Sequence, residues 1–191
     1  MSGMSPFAEL IGPCKIFLAP YGTAIPPIDA TPGASWVEMG PTDGNQTITS
    51  DGALTYYGNN DGNTETTARR PLSTVTGSYT LVGITLENAA RVLSNIGNIN
   101  NTTSGAASVR EIGFERPYVP GEYALVMRGE TDSPYGILPA QNYIPRIVFD
   151  GPWEETKGKE DRAEVACEWH ALRDPSQPAG KQLGWKQAQV S

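Results

Sequence analysis

The sequence predicts a mainly β protein, and three observations carry that prediction. Turn formers are abundant, with 21 Gly and 16 Pro among 191 residues, so the regular elements between them must be short. Residues 72–81 and 161–172 alternate in polarity with a period of two, as strands with unlike faces do. Only one stretch, residues 86–95, combines helical spacing with a capping residue. An apolar content of 38% with 8% aromatics supports a real but modest core, and the length suits one domain.

Taken in order, residues 1–14 are small and polar with scattered apolar groups and read as an amino-terminal arm. Residues 15–19 form a first apolar strand, stopped by Pro20 and Gly22. A crossing over Pro26, Pro27 and Pro32 leads to a strand anchored by Trp36, then to a turn and a threonine strand containing Thr47 and Thr49. Residues 43–70 are rich in Thr, Asn, Asp and Gly. The run Asn59, Asn60, Asp61, Gly62, Asn63 is a turn signal between residues 54–57 and 64–68, so this segment reads as a long hairpin or extended loop.

The strand at 72–81 has two sharply different faces. Val75, Tyr79 and Leu81 point one way, and Thr74, Thr76, Ser78 and Thr80 the other. Threonine favours a strand through its branched Cβ yet ends in a hydroxyl, so the second face prefers water without carrying charge. Such a face suits the wall of a wet channel. Thr85 then caps the helix, Glu87 sits in the first turn where the helix dipole favours an acid, and Gly97 lies past the end. Leu86, Ala89, Ala90, Leu93 and Ile96 make one apolar stripe for packing on a sheet, worth about 2 kcal/mol per large side chain.

Residues 98–108 are small and polar and read as a mobile loop before strands at 109–114, 123–128 and 143–150. Pro145 suits an edge position or a strand start because it cannot donate to a ladder. Residues 161–172 place Ala163, Val165, Cys167, Trp169 and Ala171 on one face and Arg162, Glu164, Glu168 and His170 on the other, a half-buried antiparallel strand. The main β domain therefore spans 15–174. Residues 175–191 read as a flexible tail, the alternative being that its Trp185 docks on a neighbouring subunit.

Chemistry is scarce. His170 is the one histidine, and at odd separation from Cys167 the two side chains leave opposite faces of a strand. No His/Cys cluster, EF-hand order, phosphate loop or nucleophile elbow occurs, so no catalytic residue, cofactor or metal is expected. Cys14 and Cys167 lack finger or CxxC spacing and read as buried thiols. The formal charge is −7, spread as four bases and eight acids over residues 1–95 and ten and thirteen over 96–191. The densest basic spots, Arg69-Arg70 and Lys157-Gly-Lys159, are too sparse to neutralise a run of phosphates, so tight nucleic-acid binding is not expected. No window has the length of a membrane span and no signal peptide is read, which predicts a cytosol-like compartment and no membrane partner.

The order of pieces between Leu18 and Gly52 is the most specific signal: Leu-Ala-Pro-Tyr-Gly-Thr, the proline crossing, Ser-Trp-Val-Glu-Met-Gly, then Asp-Gly-Asn-Gln-Thr-Ile-Thr-Ser-Asp-Gly. This order resembles the opening of tail tube proteins, the major tail proteins of long-tailed bacteriophages, and the resemblance covers roughly residues 15–174. It implies a β-sandwich or barrel with one helix packed outside the sheet. It also implies hexameric rings stacked into a tube for DNA passage during ejection, assembled in the host cytoplasm and resident in the virion tail.

On that reading Thr47, Thr49, Thr74, Thr76, Ser78 and Thr80 line the lumen, and Asp51, Asn59, Asp61, Arg69 and Arg70 belong to a loop reaching the next subunit or ring. The partners are further copies of the chain, a tape measure protein, and tail terminator and baseplate proteins, with DNA passing without specific binding. Two alternatives fit the same residues. One is a tail terminator or baseplate ring protein of the same fold. The other is a monomeric β-sandwich that holds a glycan on Tyr56, Tyr57 and Trp153.

Overall fold

A computed structural model describes residues 14–58, 65–70, 72–104, 107–131, 133–156 and 163–190. The expected amino-terminal arm, Asn59 and Asp61 with their turn, Arg162 and the Lys157-Gly-Lys159 turn lie outside the described residues. The elements are β1 Cys14–Pro20, β2 Val37–Glu38, β3 Thr42–Asp51, β4 Thr55–Gly58, β5 Glu65–Arg69, β6 Thr74–Val82, α1 Leu86–Val92, and a 3-10 turn Ile96–Asn98. They continue with β7 Asn100–Ser104, β8 Ala107–Glu111, β9 Tyr123–Gly129, β10 Ala140–Phe149, β11 Glu155–Thr156, β12 Glu164–Ala171 and β13 Trp185–Ala188. The fold is mainly β, as the sequence predicts.

The main sheet runs β2-β1-β9-β10-β12-β6-β3, with β11 added to β12 and β13 to β10, and its pairs are antiparallel. Its two ends are consecutive in the chain. Residues 39–41 join them, with Met39 N donating to Ile16 O on β1 at 2.9 Å and Val82 N on β6 donating to Pro41 O at 2.9 Å. Gln46 Nε2 also reaches Cys14 O at 2.9 Å. The sheet is thereby drawn round on itself at this corner, and its inner face encloses the main core of Ile16, Leu18, Met39, Tyr79, Leu81, Leu125, Ile147, Phe149, Val165 and Trp169.

The outer face of β1, β9 and β10 is covered as well. Phe17, Ala19, Ala124, Val126 and Tyr143 form a second cluster with Trp36, and Ile25 and Trp185 pack against it. The proline crossing lies over this side because a buried polar clamp holds its carbonyls. Arg128 donates through Nη1 to Ala30 O at 2.6 Å, through Nη2 to Pro27 O, and to Gln141 Oε1 at 2.7 Å, while Gln141 Nε2 donates to Pro26 O at 3.0 Å. Trp36 Nε1 and Tyr143 OH hold the carbonyls of Ala24 and Thr23 at 3.2 Å each. A buried guanidinium is tolerable because each of its three nitrogens donates to an acceptor.

Several local expectations are corrected. The helix has the expected cap, with Thr85 Oγ1 accepting from Asn88 N at 3.2 Å, but it ends at Val92 because Ser94 takes a left-handed φ of 58°. Asn95 then turns away to donate to the Gly113 and Glu115 carbonyls at 3.0 and 3.1 Å. Ala89, Ala90, Val92 and Leu93 are buried, whereas Leu86, at the first helical position, is 40% exposed and Ile96 is 46% exposed. A stripe that holds its spacing only while the helix continues cannot reach those end positions.

Residues 98–108, expected as a mobile loop, contain the β7/β8 hairpin, registered from Asn100 opposite Glu111 to Ser104 opposite Ala107. Pro145 lies inside β10, in the middle of the sheet. It falls at a register irregularity between Ile144 and Ile147, where one edge of β10 passes from β13, last paired at Tyr143, to β12, first paired at Ile147. A ladder already interrupted there loses little from the missing N–H. The expected flexible tail instead carries β13, registered from Ala140 opposite Ala188 to Tyr143 opposite Trp185. Trp185 docks on its own chain, edge-on to Tyr143 at 4.7 Å between ring centres.

Candidate functional site, a hydroxyl-lined sheet face

Strands β12 and β6 are covered on one face only, and β3, which pairs β6, holds no buried residue. Alternation puts Val165, Cys167, Trp169, Tyr79 and Leu81 into the core, so the intervening side chains emerge on the opposite face. Cross-strand register assembles that face. Thr47 stands opposite Ser78, Thr49 opposite Thr76, and Asp51 opposite Thr74. On the other side of β6, Ser78 pairs Glu168, Thr76 pairs His170, and Thr80 pairs Ala166. Thr47, Thr49, Thr74, Thr76, Ser78 and Thr80 therefore share one surface, with Asp43 opposite Thr80.

The hydroxyls are organised. Thr47 and Ser78 share a hydrogen bond of 2.9 Å between their side-chain oxygens, and Ser78 N donates to Thr47 Oγ1 at 3.2 Å. Thr47, Thr49, Thr76, Ser78, Asp150 and Glu168 rim a hollow of about 260 Å³. Its floor is Gly77 backed by Trp169, and only glycine fits there: a Cβ at position 77 would lie 2.3 Å from both Thr47 O and the Trp169 ring. Apart from the buried phenol and thiol of Tyr79 and Cys167, the ionisable side chains of the three strands are Asp43, Asp51, Glu164, Glu168 and His170. No Lys or Arg occurs among them. The face is hydroxyl-rich and acidic.

Beside it lies a sheet edge. β3 pairs only β6, and its far side has no ladder partner among the described residues. The start of that edge is held by Gln46, whose Nε2 also meets Thr42 Oγ1 at 2.8 Å, and a bulge between Asp43 and Thr47 sets the remainder off from it. Beyond β3 the chain leaves as the β4/β5 hairpin, a two-stranded sheet registered from Thr55 opposite Arg69 to Gly58 opposite Glu65. Leu54, Tyr56 and Tyr57 are exposed on it at 45%, 54% and 51%. Arg69 and Arg70 are exposed, and Arg70 Nε donates to Gly52 O at 2.8 Å, tying the hairpin base beside Asp51.

The other chemistry dissolves on inspection. Cys167 faces the core, where burial pushes its thiol up to about 12, so it stays protonated and unreactive. His170 is half-buried on the opposite face. Among the described residues no three His, Cys, Asp or Glu groups converge as metal ligands. Tyr56 and Tyr57 are adjacent in β4 and so point to opposite faces, while Trp153 packs on the main core, so the three aromatics do not form one glycan platform. Sequence reasoning missed the Arg128 and Gln141 clamp. Its one signal is Arg128, a lone charge in the otherwise apolar run of β9.

No protein-family model matches the chain, and no curated protein matches it in sequence. Among solved structures it is similar to a chain of the SPP1 tail tube, determined by solid-state NMR and cryo-EM. The TM-score is 0.51 at 10% identity, covering 97% of this chain and 82% of that one. It is also similar to a chain of the anti-feeding prophage baseplate, determined by cryo-EM with 6-fold symmetry, with a TM-score of 0.52 at 6% identity over 100% of this chain and 99% of that one. The fold is thus that of tail-tube proteins, and the likeness extends through the carboxy-terminal strand.

Proposed function

We propose that this protein is a structural component of a phage tail, whose copies join as hexameric rings that stack into a tube through which DNA passes. The observation that carries this reading is the bare half of the sheet: a hydroxyl and acid face without Lys or Arg on its three strands, next to a strand edge with no ladder partner among the described residues. An isolated subunit has an edge to protect, and pairing it with a neighbour in a closed ring removes it. Closing the ring turns the outer, solvated face of β12, β6 and β3 towards a shared interior.

That interior suits a passing polyanion. A hexamer carries a formal charge of about −42, and a wall without bases offers DNA no counterion-releasing contact that would hold it. The exposed β4/β5 hairpin, with Arg69 and Arg70 at its base, reaches an adjacent subunit, since two-stranded hairpins are marginal alone. Tape measure, terminator and baseplate proteins are the natural neighbours of such a tube, and the role is structural rather than enzymatic. The likeness to a baseplate chain over 99% of that chain favours one second reading, a ring at the tube's end, which copy number per particle separates from a tube.

The test is a sizing column followed by negative-stain microscopy of the concentrated full chain. Rings or hollow cylinders are expected. A compact monomer at high concentration overturns the reading.

A further inference from the structure

The β1/β9 pair has two ends, set by its register. Pro20 stands opposite Tyr123 at one end and Cys14 opposite Gly129 at the other, about 20 Å away for strands of this length. Each end carries a distinct feature. At the Tyr123 end lies a groove of about 500 Å³, walled by Leu18, Pro20, Val37, Ile96 and Tyr123, with Arg91 and Glu122 also lining it. At the Gly129 end the chain makes a turn over residues 133–139 before entering β10.

That turn is rigid and yet displays apolar groups to water. Ser133 is fully buried, donates through Oγ to Gln189 O at 2.6 Å and accepts from Tyr135 N at 3.2 Å. Ser133 N donates to Leu138 O at 3.0 Å, Leu138 N to Gly136 O at 2.8 Å, and Gln189 N to Pro139 O at 3.0 Å. On this frame Ile137 is 87% exposed and Tyr135 45%. A preorganised apolar tip loses little entropy on docking, which is how rigid loops gain affinity.

We propose that residues 133–139 are a knob that seats in the Leu18, Val37, Ile96 and Tyr123 groove of a second copy, joining subunits head to tail. The occupant is a second copy because knob and groove lie at opposite ends of one strand pair. A contact between unlike ends is heterologous, so it runs on from copy to copy instead of closing a twofold dimer. Charge does not oppose the fit, since residues 133–139 carry no charged side chain and the groove holds Arg91 and Glu122 together, which leaves an apolar contact. This inference rests on the tube reading, in which it is the contact between stacked rings. One small contact per subunit suffices there because a ring repeats it and binds with the avidity of the set.

The test uses the full chain. Ile137→Asp is expected to keep the circular dichroism spectrum and ring-sized particles while shortening tubes in micrographs by more than tenfold. Independently, an Ile137→Cys, Ile96→Cys chain in a Cys14→Ser background should form a ladder of disulfide-linked multimers on oxidation, and neither single cysteine should. Normal tubes from Ile137→Asp, or no ladder from the double-cysteine chain, overturns the knob and groove while leaving the tube intact. A parent chain that forms neither rings nor tubes overturns the reading beneath it.

Discussion

The two halves of the main sheet are built from the same kind of strand and finished differently. In β1, β9 and β10 both faces are covered, the inner by the core and the outer by Trp36, Trp185 and the proline crossing that Arg128 holds down. In β12 and β6 the inner face is dry, but the outer face, extended by β3, is left to hydroxyls and acids, and β3, which holds no buried residue, has an edge without a ladder partner among the described residues. On the proposed function, the covered half supplies stability and the bare half the contacts with neighbouring copies, so that the two tasks fall to different residues of one sheet.

The division breaks most visibly at Trp169. The bare half draws its burial from one face, and Trp169 is the largest side chain there, lying against Gly77. Trp169→Ala is expected to cost about 3–5 kcal/mol in urea titration of the subunit. A loss below about 1 kcal/mol would show that this half does not depend on its single dry face.

In the covered half, Arg128→Met should cost about 2–3 kcal/mol, because it strands the carbonyls of Pro27 and Ala30 and the side chain of Gln141. The same variant is expected to leave ring assembly at high concentration intact. Proteolysis should find residues 24–35 cleaved faster than in the parent chain. An unchanged cleavage rate would mean that the clamp does not hold the crossing.

A smaller effect depends on pH. Asp174 is buried, and burial alone raises a carboxyl's pKa, but donors from Ser176, Gln177 and Tyr21 overcome this and hold it below its ordinary value. A carboxylate favoured in the folded state adds stability above its ordinary pKa and loses that contribution as pH falls through the folded value. The Tm gap between the parent chain and Asp174→Asn should be constant above the ordinary carboxyl range and close as pH falls through the lowered folded value. A gap that widens on acidification has the wrong sign for this network.

The smallest effect on stability is expected on the bare face. Thr76→Lys with Ser78→Lys should change subunit stability by no more than about 0.5 kcal/mol per site. Tube length should be unchanged while genome ejection slows. Normal ejection through such tubes would remove the lumen role from these positions.

The same division explains what was legible in the sequence. β12 and β6 keep a period of two because one face meets water, so their residues were sorted correctly by alternation alone. β9 is buried throughout and reads as a strand only by composition, and Pro145 misled because its tolerance comes from a ladder passing between two partners distant in sequence. β7, β8 and β13 carry few apolar residues. β13 pairs a strand distant in sequence and β7 and β8 form a separate hairpin with no apolar face, so Asn, Thr, Gln and Lys there read as loop and tail. The Thr74, Thr76, Ser78 and Thr80 face was readable from one strand, but its enlargement by Thr47, Thr49 and Glu168 depends on registers that no local pattern encodes.

The central claim is that the bare hydroxyl face becomes the inside of an assembly. Ser78→Cys in a Cys14→Ser background tests it directly, by labelling before and after assembly with a small iodoacetamide and with a maleimide on a long polyethylene glycol. The account predicts that the isolated subunit takes both reagents, and that assembled tubes take the small one and exclude the polymer. Equal polymer labelling in both states would place the face on the outside and contradict it.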